Sequence, residues 1–266
     1  MIDRRSVLFL TLSLLLAAGA YAADDEVEVI KPPKVPPADD EKKPDLSRVV
    51  KQIVQKTNAF RKDEGRAPVE ANATLTKTAE AFARYMARTD RYGHTADGSK
   101  HTERAKKQGY DYCVVLENIA YQYESDGFTS EQLAKGYFEG WKKSPGHRKN
   151  MLDPDVTETG VAVARSAKTG YYYAVQMFGR PKSQAYKFAV VNRSRATVSY
   201  KVDGKDYTVS RNSTRTHTHC RQPEVSFAAA GGEEKKIKPQ AGERLLVTAG
   251  KGGVQVTTQK APGKKP

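Results

Sequence analysis

The spacing of the apolar residues changes once along this chain, and the change divides it into parts that cannot share one fold class. In three stretches between residues 50 and 142 they recur every three or four positions, the period of a helix that buries one face. From Gly160 onward they alternate or run in short stretches, the pattern of strands. Val50, Ile53, Val54, Thr57 and Phe60 form one helical stripe, ended by Gly65, and Leu75, Ala79, Phe82, Ala83 and Met86 form a second. Leu133, Tyr137, Phe138 and Trp141 mark a third helix over residues 131–142. Gly160 to Arg165 and Tyr171 to Phe178 read as strands, joined by a hairpin turn at Lys168-Thr169-Gly170. Past Tyr186 the segments Phe188 to Val191, Val198 to Val202 and Tyr207 to Val209 alternate or run apolar, with Asp203-Gly204 placed to turn the chain, and residues 244–248 and 254–258 continue the pattern. The fold class expected is α+β: helices flanking a small antiparallel sheet over residues 45–181, then an all-β, sandwich-like domain over residues 185–260 built as a small antiparallel sandwich.

The ends are read separately. Arg4 and Arg5 precede an apolar run from Val7 to Ala18, and Ala20-Tyr21-Ala22 offers small residues for cleavage, so residues 1–22 are expected to be a signal peptide and the mature protein secreted or extracytoplasmic, in the cell envelope. No segment of the mature chain is long and apolar enough to predict a transmembrane span. Residues 23–44 hold five prolines from Pro32 to Pro44 among charged residues and no apolar period, which predicts a disordered, extended linker. Residues 261–266 are expected to be a disordered tail.

Charge sharpens the boundary near Arg180-Pro181. Asp45 to Arg180 carries 22 basic and 17 acidic residues, a net of +5, whereas Pro181 to Pro266 carries 17 and 6, a net of +11. A basic β-domain would attract an anionic envelope polymer or a membrane surface, with strength that falls as salt rises. Nucleic acid is disfavoured as a partner, because no recognition module accompanies the charge.

Chemistry concentrates in three short segments. Tyr92-Gly93-His94-Thr95, Glu117-Asn118-Ile119-Ala120 and Ser144 to Leu152 together supply two imidazoles, His94 and His147, and the carboxylate of Glu117. Ser144 can cap a helix whose first residue is Pro145, which places His147 in the first turn. There the positive end of the helix dipole, with Arg148 and Lys149 beside it, disfavours imidazolium, so His147 is expected neutral and able to bind a metal or accept a proton. Two imidazoles and a carboxylate suit a divalent metal such as zinc. No His-Glu-x-x-His helix occurs, which excludes a metalloprotease of that type, and no serine is marked out as a nucleophile. The opposing reading is a buried polar cluster that ties loops together. His101 is expected on a solvated helix start, and Glu158 at the surface. Tyr172 and its neighbours could line one cleft wall, and Gln176 could offer a hydrogen bond to a ligand there.

In their order along the chain, Asn58, Arg61, Gly65, Pro68, His94, Glu117 to Ala120, Trp141, Ser144 to Leu152, Thr159 to Val163 and Gln176 to Gly179 resemble a bacterial SCP-type domain of the CAP superfamily: the cysteine-rich secretory proteins, antigen 5 and the pathogenesis-related 1 proteins. The resemblance runs from about Leu46 to Arg180. It implies an α-β-α sandwich with a central cleft, in which His94 and His147 match two histidines, Glu117 matches a glutamate, and zinc or another divalent ion is sometimes bound. A second glutamate of that pattern would stand three residues after Trp141, where this chain has Ser144.

Two function classes follow: a non-catalytic module whose cleft takes a small or lipidic ligand or a metal, or a metal-dependent hydrolase acting on extracytoplasmic peptides or glycans through His94, Glu117 and His147. In the β-domain His217 and His219 share a strand face and could hold a metal if a third ligand joined them. Cys113 and Cys220 are the two cysteines, and in an exported protein they could pair or stay as free thiols.

Overall fold

The computed structural model describes residues 26–38, 41–228, 234–250 and 253–260, so the expected signal peptide and C-terminal tail lie outside the described residues. The chain forms two compact units: one holds the residues up to Tyr110 and Val115–Gly179, the other Asp111–Val114 and the residues from Arg180 on. Among the described residues no helix is long and apolar enough to cross a membrane.

The elements up to residue 181 follow in order as β1 (Glu28–Val29), α1 (Leu46–Asp63), β2 (Glu70–Ala71), α2 (Ala73–Thr89), β3 (Arg91–Tyr92), α3 (His101–Lys107), β4 (Tyr112–Gln122), α4 (Ser130–Lys143), α5 (Pro145–Met151), β5 (Glu158–Arg165) and β6 (Tyr172–Pro181), all in the first unit except the start of β4 up to Val114 and the end of β6 from Arg180. Asp45 caps α1 by accepting from the backbone amides of Ser47 and Arg48, and Asn72 caps α2 in the same way through Thr74 and Leu75. The buried stripe of α1 is Val49, Ile53, Thr57 and Phe60, with Val50 and Val54 at its margin, so its centre is turned slightly from the expected one. On α2 the expected Leu75, Ala79, Phe82, Ala83 and Met86 are all buried.

These helices enclose a four-stranded sheet in the order β2-β5-β6-β4, giving the α-β-α layering. Sheet pairing fixes which face each helix covers. Gly160 and Met177 stand opposite one another across β5 and β6, and a Cβ on Gly160 would collide with backbone atoms of Leu75 and Thr76, so α2 sits on that face in direct backbone contact. Val161 and Gln176, next along each strand, point the other way, where the Gln176 amide donates to the Thr57 hydroxyl of α1. Thr159 and Ser166 sit at either end of β5, and the Ser166 hydroxyl accepts from the amides of Lys168 and Thr169 to close the expected hairpin. The sheet is not wholly antiparallel: β2 pairs with β5 in parallel over two residues.

The segment expected to be a disordered linker is instead bound to the first unit wherever it is described. β1 pairs with β3, the Ile30 amide donates to the Asp90 carbonyl and Ile30 is buried. Tyr123 donates its hydroxyl to the Val35 carbonyl, and Glu41 pairs with Arg165. An extended proline-rich backbone makes no hydrogen bonds of its own, so its free carbonyls and amides are available to distant partners that composition cannot reveal.

The second unit contains β7 (Tyr186–Asn192), β8 (Val198–Val202), β9 (Lys205–Val209), β10 (Thr214–His219), β11 (Val225–Ala228), β12 (Glu234–Ile237), β13 (Glu243–Gly250) and β14 (Gly253–Lys260). They form two four-stranded sheets, β10-β7-β13-β14 and β12-β11-β8-β9. Asp203 and Gly204 both adopt positive φ, 49° and 78°, in the tight turn expected between β8 and β9. Phe188, Val190, Tyr200, Val202, Phe227, Leu245 and Val247 build the core between alternating strands. The antiparallel expectation fails at one place, because β13 lies parallel to β7 after the chain crosses from the second sheet back to the first. Cys113 and Cys220, 107 residues apart in sequence, are joined by a disulfide, both within this unit.

Candidate functional site

The site is assembled on β4. Asn118, fully buried, donates its side-chain amide to the His147 carbonyl, while Asn150 donates to the Glu117 carbonyl at 3.1 Å and to the Asn118 side-chain oxygen at 2.9 Å. These bonds stitch both ends of α5 to one strand. The Trp141 indole donates to the Ile119 carbonyl at 3.0 Å and ties α4 to the next residue of that strand. The two sequence motifs are therefore halves of one hydrogen-bonded joint. Ser144 does occupy the N-cap position of α5 with Pro145 following, but its side chain makes no capping bond.

The joint carries Glu117 into the interior. Its side chain is fully buried, and both carboxylate oxygens are engaged: Oε1 by His94 Nδ1 at 2.8 Å, and Oε1 and Oε2 by the Arg104 guanidinium at 2.9 and 2.8 Å. Arg104 also donates to Asp97 Oδ1 and to the Ser99 and His94 carbonyls, and its guanidinium lies 3.5 Å from the centroid of the Phe82 ring. One buried arginine thus fixes the backbone that carries His94 and neutralises the carboxylate that orients its ring. With Nδ1 engaged by Glu117, Nε2 is the His94 ring nitrogen left for a ligand.

His94, Lys100, His101, Glu117, His147 and Lys149 line a cavity of about 540 Å³. Its size is that of a small-molecule site. His101 belongs to this wall and not to a solvated helix start. Burial, more than any charge, lowers its pKa, and the approach of Glu117 and a bond to the Val115 backbone oppose that shift.

Sequence reasoning missed Arg104 and His101. Both lie on α3, seven residues long, too short to show a period, and an arginine in a last helical turn reads as a solvated dipole partner. Two assigned residues are absent from the cleft. Gln176 is fully buried beneath α1, and Tyr172 is buried with its carbonyl accepting from the Tyr137 hydroxyl. Both lie on β6, whose residues from Tyr172 to Arg180 are all buried, so neither alternating face of that strand opens to solvent. Glu158 likewise is no free surface group, because it accepts from the Tyr110 hydroxyl.

The expected metal set, His94, Glu117 and His147, shares one cavity wall, with Glu117 already bonded to His94 and Arg104. Among the described residues no group of three histidine, cysteine, aspartate or glutamate side chains is arranged to hold a metal ion. A cation at Glu117 would have to share its oxygens with Arg104 and His94. In the second unit His217 is buried and its Nε2 lies 2.7 Å from the Tyr200 hydroxyl, while His219 faces Asp203. The pair faces different partners and gains no third ligand among the described residues.

Residues 54–178 match the CAP family, the cysteine-rich secretory protein family. The chain is 32% identical over 137 residues to the uncharacterized protein YkwD of Bacillus subtilis, covering 51% of this chain and 49% of that one. It is 32% identical over 143 residues to the uncharacterized membrane protein YlbC of the same organism, covering 53% and 38%. The match therefore spans less than half the length of either curated relative. Among solved structures, an outer surface protein from Borrelia burgdorferi is similar at a TM-score of 0.45 and 20% identity, over 50% of this chain and 93% of that one. An extracellular SCP-domain protein from Bacillus anthracis is similar at a TM-score of 0.43 and 24% identity, over 51% and 41%.

Proposed function

From the premise that residues 54–178 are a domain of the cysteine-rich secretory protein family, we propose that this chain is an exported, non-catalytic ligand-binding module that is held to an anionic envelope surface by its basic β-domain. The observation that carries the reading is the engagement of both Glu117 oxygens. A carboxylate whose two oxygens already take three hydrogen bonds, two from a guanidinium and one from an imidazole, has most of its roughly four lone-pair sites occupied, and its work is to orient His94. Burying that ion pair is costly, and the further contacts of the Arg104 terminal nitrogens to Asp97, Ser99 and His94 offset part of that cost, while its buried Nε is left without a partner among the described residues. Docking draws on the excess of basic residues past Pro181, which is where long-range attraction to a polyanion would originate.

Docking and cleft are tested together. The mature chain should sediment with anionic vesicles at low salt, release as ionic strength rises through about 0.15 M, and ignore neutral vesicles. His94→Ala and His147→Ala should leave this sedimentation unchanged. Equal sedimentation with neutral vesicles, or hydrolysis of envelope peptides or glycans that either variant abolishes, would contradict the reading.

A further inference from the structure

We propose that the cleft is a receptor for a phosphoryl group, carried by a small molecule or a polymer, an inference that rests on the reading of the cleft as a ligand site. The charge of the lining points that way. Glu117 is the one carboxylate on it among the described residues, and its charge is met by Arg104 from behind. Lys100 and Lys149 stand on the lining from two different elements, α3's approach and α5, and neither joins an ion pair among the described residues. Counting Asp97, which Arg104 also holds, the cations still outnumber the carboxylates before any histidine is protonated. Among the described residues no carboxylate at this wall is left to receive a cationic ligand.

The kind of anion follows from the donors. A carboxylate presents two oxygens in a plane and is best matched by a guanidinium fork. Both arginines near the cleft are committed elsewhere: Arg104 to Glu117 and Asp97, and Arg148 to Glu64 at 2.7 Å, with its guanidinium against Phe60. What remains on the lining is a pair of ammonium point charges, with the imidazoles of His94 and His101 on the same wall. Ammonium groups carried by two different elements suit a group with three or four oxygens arranged tetrahedrally better than they suit a planar carboxylate. The cavity volume of about 540 Å³ leaves room for the group that carries the phosphoryl.

The chain has five histidines, and two of them, His217 and His219, sit in the other unit, so they serve as an internal control. Histidine side-chain resonances of the full mature chain would be followed by NMR during titration with inorganic phosphate, glycerol phosphate, glycerol and zinc chloride. Phosphate and glycerol phosphate should both shift His94, His101 and His147, and leave His217 and His219 in place. Tighter binding of glycerol phosphate would identify an esterified source, and equal affinity a free anion. Joint replacement Lys100→Glu and Lys149→Glu should weaken binding about tenfold or more with an unchanged melting curve, and Lys100→Gln with Lys149→Gln serves if the charge reversal fails to fold. The proposal is overturned by equal shifts at all five histidines, by glycerol binding as tightly as its phosphate, by zinc alone occupying the cleft, or by unchanged affinity in the lysine variants. Release of inorganic phosphate from glycerol phosphate would instead contradict the non-catalytic reading and leave the phosphoryl site standing.

Discussion

Arg104 is the residue on which the cleft depends. Replacing it by methionine, close to it in length, leaves the fully buried Glu117 side chain charged without a cation, and should cost about 3–5 kcal/mol of stability in denaturant unfolding. Adding Glu117→Gln should recover much of that loss, because the second change removes the stranded charge. Full additivity in this double-mutant cycle would show that the two do not form a unit. His217 makes the opposite case, a histidine kept neutral by its surroundings. Burial, then the nearby His219 and Arg215, lowers its pKa below the free value of about 6.5. A depressed pKa means that the unfolded chain takes up a proton first, so this contribution is present above that value and lost as pH falls through the folded pKa. Stability of the second unit should therefore decline on acidification below about pH 6.5, and His217→Phe should flatten the decline. A pH profile identical in the two proteins would refute the assignment.

At the scale of elements, the joint between β4 and α5 is held by few side chains. Asn150→Ala removes two hydrogen bonds and leaves the Asn118 side chain short of a partner in the interior, a loss of about 1–3 kcal/mol. Hydrogen exchange over Pro145–Met151 should speed up while α2 stays protected; uniform acceleration across the unit would mean that the joint is not local. The same elements separate what the sequence discloses from what it conceals. Long helices such as α1 and α2 repeat their apolar stripe over several turns, so they are legible, and the caps Asp45 and Asn72 agree with them. His94, Glu117 and His147 are legible because motif spacing carries them. α3 shows no period in its seven residues, so Arg104 and His101 could not be assigned. Gln176 and Tyr172 were misplaced because a strand buried on both faces hides any side chain that alternation would send outward. The docked segment from Glu28 onward stays hidden in sequence, since its partners at Asp90, Arg91 and Tyr92 lie some sixty residues away.

For the whole molecule, the switch from helical to alternating apolar spacing by Gly160 makes the α+β class legible, while the parallel β7–β13 pairing and the course of the disulfide depend on long-range topology. Joint replacement of Cys113 and Cys220 by serine should lower the unfolding free energy of the second unit by about 2–5 kcal/mol, because the bridge closes a long loop in the unfolded chain. An unchanged denaturant midpoint would show that the bridge adds nothing. The central claim is that Glu117 is a tied carboxylate in a ligand cleft and not a metal ligand. Metal content of the mature chain, purified without chelators and measured by mass spectrometry after dialysis, tests it most directly. The account predicts zinc and other divalent metals far below one per chain, equally low in the protein and in His94→Ala; one tightly held metal per chain that disappears in His94→Ala would contradict it.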